Sequence, residues 1–209
     1  MFGKDKHAEL ELFNDFDSHL INLYRCVKHH REAFEKELLA FESWILNSRE
    51  IFLDYLHQLD SRGFTDIQRA VRYYYLIVIS YGSDHKTFGC QKRFISNSVK
   101  MFPKIEERLK NVVIENQDFE KILKTYDRPN ALFYLDPPYF GTEKYYQGFS
   151  RDDHMRLLSA VKKIKGHFII SYNDDEFIRE IYKDFNIIEV ERSNNLAKGV
   201  YKELIIKNY

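Results

Sequence analysis

The 209-residue sequence predicts an α/β fold: a mostly parallel sheet with an antiparallel edge hairpin, interrupted by a helical insertion. Three observations predict it. From Val112 onward, short apolar runs alternate with amphipathic stretches in the order β-α-β-α-β-α-β-β. Residues from about 31 to 80 carry helical periodicity alone. The last two strand-like runs, Asn186 to Glu191 and Tyr201 to Lys207, are joined by a short polar turn, as in a hairpin.

Ala8 to Asp15 alternates apolar and polar residues and ends in an acid, which reads as a strand. Asp17 or Ser18 can cap the helix that follows, from Leu20 to about Lys28, with Leu20, Leu23, Tyr24 and Val27 on one face. Two helices fit 31–60. Gly63 breaks the pattern, and Thr65 or Asp66 can cap a third helix running to about Ser80. A helical block of this length between strands reads as an inserted subdomain. It divides the chain into 1–30 plus 104–209, and 31–103. Val112 to Asn116 is a strand, followed by a helix through Phe119, Ile122 and Leu123. Ala131 to Leu135 is an apolar run that reads as a buried strand. It stops at Asp136-Pro137-Pro138-Tyr139, because proline has no N–H for the ladder and a fixed φ. Ser150-Arg151-Asp152-Asp153 resembles a capping box and opens a helix that Gly166 ends. His167 to Ser171 is a strand, and Asp174 to Tyr182 a helix.

Lys and Arg number 32, as do Asp and Glu, so any basic surface must be local. Aromatics reach 16%, enough to fill a core and leave flat faces for stacking on bases. Cys26 and Cys90 have no metal or redox spacing and read as free thiols in a reducing compartment. Neither a signal peptide nor a long apolar span is visible, so the expectation is a soluble cytoplasmic protein.

Three places carry chemistry. Asp15 ends a strand before a helix, where nucleotide-binding α/β folds hold a ribose. On the residues alone a plain helix-entry acid is the simpler reading. The stretch Tyr81 to Phe94 mixes His85, Lys86, Lys92 and Arg93 with two phenylalanines. That suits phosphate contact and stacking, or an ordinary solvated loop. Asp136-Pro137-Pro138-Tyr139 sets a carboxylate, carbonyls without a competing N–H, and an aromatic face at the carboxyl end of a strand.

Taken together, these stretches resemble the Dam-type (D12 class) adenine-N6 DNA methyltransferases. The resemblance rests on Phe13-Asn14-Asp15-Phe16-Asp17-Ser18 and on through Tyr24. It rests equally on Leu135-Asp136-Pro137-Pro138-Tyr139 with the loop Gly141-Thr142-Glu143 and Tyr145-Tyr146, on Phe168-Ile169-Ile170-Ser171-Tyr172-Asn173-Asp174, and on Lys202 to Tyr209. It implies a Rossmann-like class I methyltransferase sheet, S-adenosylmethionine as methyl donor without a metal, and adenine in double-stranded DNA as acceptor. It places the target-recognition region in 31–103, with Lys86, Lys92 and Arg93 contacting phosphates or base edges. Asp136 and the Pro137 carbonyl would accept the two N6–H bonds, and Pro138 would stiffen the turn. Tyr139 would stack on an adenine flipped out of the duplex. Asp15 would hold the ribose of the methyl donor, Asn116 and Asp118 would line its adenine pocket, and Asp136 would face it too. Tyr172-Asn173 would either border the flipped base or cap the next helix. Two other readings stay open. One is a non-catalytic remnant or the DNA-binding half of a split enzyme. The other is an amino-methyltransferase acting on cytosine N4, RNA or glutamine, against which Asp rather than Asn heads the tetrapeptide.

A glycine-rich loop should lie about 20 residues ahead of the ribose-binding acid. The sole glycine before Asp15 is Gly3. The expectation is an amino-terminally truncated member, or one half of a split enzyme completed by a second chain. The isolated chain is then expected to bind S-adenosylmethionine weakly or not at all. Calorimetric titration checks this, and micromolar affinity would overturn it.

Overall fold

A computed structural model describes residues 7–42, 48–81, 85–89, 99–141, 149–193 and 200–209, with the side chains of 41, 42 and 193 outside the description. Cys90, Lys92, Arg93, the loop 142–148 and the turn 194–199 lie outside the described residues. The chain divides into two compact units, Met1–Gln117 and Asp118–Tyr209.

The first unit holds β1 (Glu11–Asn14), α1 (Ser18–His29), α2 (Arg31–Glu42), α3 (Arg49–Gln58), α4 (Asp66–Ile79), α5 (Phe102–Leu109) and β2 (Val112–Glu115). Its helices start where the sequence places capping side chains. Asp17 accepts from the N–H groups of His19 and Leu20, and Ser48 from that of Ile51. Thr65 and Gln68 form a capping box. Gly63 sits at φ +98°, a left-handed turn that separates α3 from α4. The core is built on α4, whose Val71, Tyr75, Leu76 and Ile79 are buried. Leu23 and Val27 of α1, Phe34 and Leu38 of α2, Phe52 of α3 and Phe102 of α5 complete it. Helices α2–α4 thus share one apolar core with α1 and α5.

β1 and β2 pair in parallel, Glu11 opposite Val112 and Asn14 opposite Glu115. A parallel pair needs a crossover, and here the crossover is the whole helical block. Carbonyls of β2 are met by α1: Lys28 Nζ donates to Val112 O at 2.7 Å and an Arg25 guanidinium nitrogen to Ile114 O at 3.1 Å. Beyond the last paired residues, the Asn14 amide donates to Gln117 O at 3.0 Å and accepts from Gln117 N at 2.9 Å, imitating one more rung.

The second unit holds α6 (Phe119–Tyr126), β3 (Leu132–Leu135), α7 (Arg151–Val161), β4 (His167–Asn173), α8 (Glu176–Ile181), β5 (Asn186–Ser193) and β6 (Val200–Lys207). Its sheet runs β3-β4-β6-β5, with β3 parallel to β4 and the β5–β6 hairpin antiparallel. Phe168, Ile170 and Tyr172 of β4 and Leu204 and Ile206 of β6 form a core with Leu157, Leu158 and Val161 of α7 and Ile178 of α8. Ser150 and Asp153 form the expected capping box of α7.

Two expectations are corrected. The described strands form two sheets in which β2 pairs with β1 and β3 with β4, and antiparallel pairs outnumber the parallel one in the larger sheet. The β3 run is not buried through its length: Leu132 is 59% and Tyr134 61% exposed, while Phe133 and Leu135 pack against the core. The reason is that successive side chains of a strand point to opposite faces, and only the face carrying Phe133 and Leu135 meets the core. No helix among the described residues is long and apolar enough to cross a membrane.

Gly166 fixes the entry to β4. A Cβ there would come within 2.6 Å of Arg128 O and 2.7 Å of Ala131 O, both rigid backbone atoms. Gly166→Ala is therefore expected to cost about 1–3 kcal/mol, read as a lowered urea midpoint at unchanged m-value.

Candidate active site

The register of β3 against β4 sets the position of Asp136 in the second unit. Leu135 is the last paired residue, opposite Ile170, which leaves Asp136 beside Ser171. Ser171 is 1% exposed, and its Oγ donates to Asp136 Oδ1 at 2.7 Å. The Tyr134 hydroxyl lies 3.2 Å from the same Oγ. Asp136 itself is exposed, so its carboxylate is oriented by one partner while remaining accessible. Pro137 and Pro138 turn the chain away from the sheet. The turn is tied back by the Asn173 amide, which donates to Phe140 O at 3.1 Å.

Tyr139 comes back over the sheet, and its hydroxyl donates to Glu203 Oε1 on β6. Glu203 Oε2 accepts from Arg192 Nε on β5 at 2.7 Å. Burial first, and then the Glu203 carboxylate, hold the Tyr139 phenol above its ordinary range, so it remains a neutral hydrogen-bond donor. Tyr172 points into the core, where its hydroxyl meets His154 Nδ1 at 2.7 Å. The cap of α8 is Asp175. Tyr172-Asn173 therefore does not cap that helix: Tyr172 is core, and Asn173, at the strand end, holds the Pro-Pro turn.

In the first unit, Asp15 follows β1 and its Oδ1 accepts from Asp17 N at 2.8 Å. Burial raises its carboxyl above the usual range, partly offset by that N–H bond. Asn116 Nδ2 donates to Asp15 O at 2.8 Å and Phe16 O at 3.1 Å, closing the turn around Asp15. Asp17 also accepts from the Tyr73 hydroxyl at 2.6 Å, which fastens this turn to α4. An oriented, half-buried carboxylate at a strand end fits the diol of a ribose. Asp118, in the second unit, caps α6 through Glu120 N and pairs with Arg156 at 3.1 Å. Of the proposed recognition cations, Lys86 is described and exposed, next to His85 at φ +59°. Lys92 and Arg93 lie outside the described residues.

Sequence reading missed Ser171, Glu203 and Arg192. The one available signal was a small polar residue in β4 and an acid in β6, at positions that alternate with the core-facing Ile170, Tyr172 and Leu204.

A mixed α/β chain with an Asp-Pro-Pro-Tyr turn at a strand end, headed by an oriented and accessible carboxylate, is the class of protein these observations define. Comparison with known proteins makes this specific. The model of the D12 class N6 adenine-specific DNA methyltransferases matches residues 1–196, and the chain belongs to that family. It is 30% identical over 228 residues to the Type II methyltransferase M1.LlaDCHI of Lactococcus lactis subsp. cremoris, covering 95% of this chain and 79% of the relative. It is 31% identical over 111 residues to the Type II methyltransferase M.CviBI of Paramecium bursaria Chlorella virus NC1A, covering 48% of this chain and 43% of that protein.

The raised Asp15 carboxyl sets a pH dependence. An acid whose folded pKa is raised disfavours the fold once it ionises. Its contribution to stability therefore falls as pH rises from the ordinary carboxylate range through the raised value. Asp15→Asn is expected to raise the melting temperature at pH 7 by roughly 1–3 °C. That gain should vanish towards pH 3.5, where both side chains are neutral. Thermal scans at the two pH values check this.

Proposed function

We propose that this chain is a site-specific methyltransferase that moves a methyl group from S-adenosylmethionine to N6 of an adenine flipped out of double-stranded DNA. Family membership supports DNA methylation. The finer reading is carried by one observation: an exposed carboxylate at Asp136, oriented by Ser171 and followed by the Pro137 carbonyl.

The N6 lone pair of adenine is delocalised into the ring, so the amine is a poor nucleophile. Asp136 accepts one N6–H and the Pro137 carbonyl the other. Two acceptors disposed about the nitrogen favour a tetrahedral geometry and return the lone pair to it. Orientation and electrostatics supply most of the acceleration, and no covalent bond to the enzyme is needed. Tyr139 provides the stacking face for the base, which must leave the duplex to reach a strand-end turn. S-adenosylmethionine supplies an electrophilic methyl group on a sulfonium. Asp15 accepts hydrogen bonds from its ribose, and Asn116 keeps the Asp15 turn closed. The block 31–103 serves as the target-recognition region, with Lys86, Lys92 and Arg93 towards the DNA. The Type II names of both relatives support a place in restriction-modification.

The test is transfer of labelled methyl to unmethylated genomic DNA by the purified protein. Asp136→Ala is expected to lower transfer at least ~100-fold while the melting temperature changes little. Equal transfer by both proteins would sink the proposal. Label appearing in cytosine would redirect it to another amine.

A further inference from the structure

Glu203 is the least expected side chain in the second unit. It lies on β6, a central strand, in a row with Asn173 of β4 and Val190 of β5. It is 5% exposed. A carboxylate taken out of water is costly unless its oxygens are met, and an apolar residue at such a position often gives an equally stable or more stable fold. Each oxygen of Glu203 has a partner: Tyr139 donates to Oε1 and Arg192 to Oε2. The arrangement runs from the sheet outward to the tetrapeptide, because Arg192 is anchored on β5 and Glu203 on β6 while Tyr139 stands on the turn after β3. Asp136 and Tyr201 are the other titratable groups whose charge acts on the Tyr139 phenol.

A tyrosine ring on a turn has two free torsions. Tethering the hydroxyl fixes the first, and because a phenolic O–H prefers to lie in the ring plane, the direction of its hydrogen bond to Glu203 also favours one ring plane. A stacking surface that sets the pose of a base beside Asp136 needs a fixed plane, since misplacing a reacting group by about 1 Å can cost ~100-fold in rate. We propose that Glu203, held by Arg192, is a positioning residue that locks the ring of Tyr139 in the orientation used to stack the flipped base. The proposal rests on the reading of Tyr139 as the stacking face.

The contact and its catalytic use are tested separately. Protein labelled with 3-fluorotyrosine is followed by 19F NMR, with Tyr139→Phe identifying the Tyr139 resonance. In the unaltered protein this resonance is expected to titrate at higher pH than those of exposed tyrosines. Glu203→Gln, which keeps the size and an acceptor oxygen, is expected to move its titration down by about one pH unit or more and leave the other resonances in place. An unchanged Tyr139 titration in Glu203→Gln would overturn the proposal whatever the methylation assay shows. In the transfer assay, Glu203→Gln and Tyr139→Phe are each expected to lower kcat roughly 10-fold at little-changed KM for DNA. The double variant should be no worse than either single one. Additive losses would mean that Glu203 acts elsewhere and would overturn the positioning role. Absence of transfer in the unaltered protein counts against the methyltransferase reading alone, because the resonance of Tyr139 still reports whether Glu203 holds the ring. Arg192→Lys, which keeps the charge but not the guanidinium geometry, guards against loss of folding in the Glu203 variant and is expected to shift the Tyr139 titration in the same direction by a smaller amount.

Discussion

Two successive prolines dictate the turn that carries Asp136 and Tyr139. Neither Pro137 nor Pro138 has an N–H, so the ladder between β3 and β4 cannot run past Leu135 and Ile170. One position beyond the last rung, Asp136 is released from pairing yet still lies alongside the next residue of β4. That residue is Ser171, and its hydroxyl takes the carboxylate at 2.7 Å. The turn then has to be secured from elsewhere. It is secured by side chains of the same sheet: Asn173 holds Phe140 O, and Glu203 holds the hydroxyl of Tyr139. Two strands, β4 and β6, contribute three polar side chains to a turn that belongs to a third.

The first unit solves a similar problem with different parts. Asp15 leaves β1 at a point where no strand can orient it, and local hydrogen bonds do so instead. Asp17 N meets its Oδ1, and Asn116 grips the carbonyls of Asp15 and Phe16. Asp17 then serves two masters, capping α1 and accepting from Tyr73 on α4. Burial and this bond to Asp17 hold the Tyr73 phenol well above its ordinary range, so the link is a neutral donor on a carboxylate. The central helix of the apolar core is in this way fastened to the strand end that carries Asp15.

Much of this was legible in the residues. Asp17, Thr65 and Ser150 announce helix starts because a short oxygen-bearing side chain at that point satisfies N–H groups that nothing else reaches. Helices α1 and α4 follow from periodicity over three or four turns. The strands are four to eight residues long, and that is too short to reveal a partner. Leu132 to Leu135 reads as apolar throughout, yet only two of its side chains meet the core, because its position in the sheet is set by residues far away in sequence. For the same reason Asp136 and Tyr139 could be singled out, while Ser171, Glu203 and Arg192 could not: register alone brings them near. Asn116 and Asp118 were found at the right place, after a strand. Their side chains hold a turn and cap a helix, uses that adjacency in sequence does not distinguish from contact with a ligand.

The asparagine clasp at the end of β1 has a consequence for how the chain acquires its structure. Asn14 and Gln117 exchange two hydrogen bonds across 103 positions. Closing a loop of that length sacrifices chain entropy before any contact repays it, whereas the helices between gain from neighbours close in sequence. Assembly therefore runs from the inside outward: the α1–α5 core condenses, and the two strand ends are then brought together by their flanking helices. During synthesis at about 5–20 residues per second, β1 leaves the ribosome several seconds or more before its partner exists. Asn116 closes the turn around Asp15 only when β2 arrives, so this strand end is among the last parts of the unit to be completed.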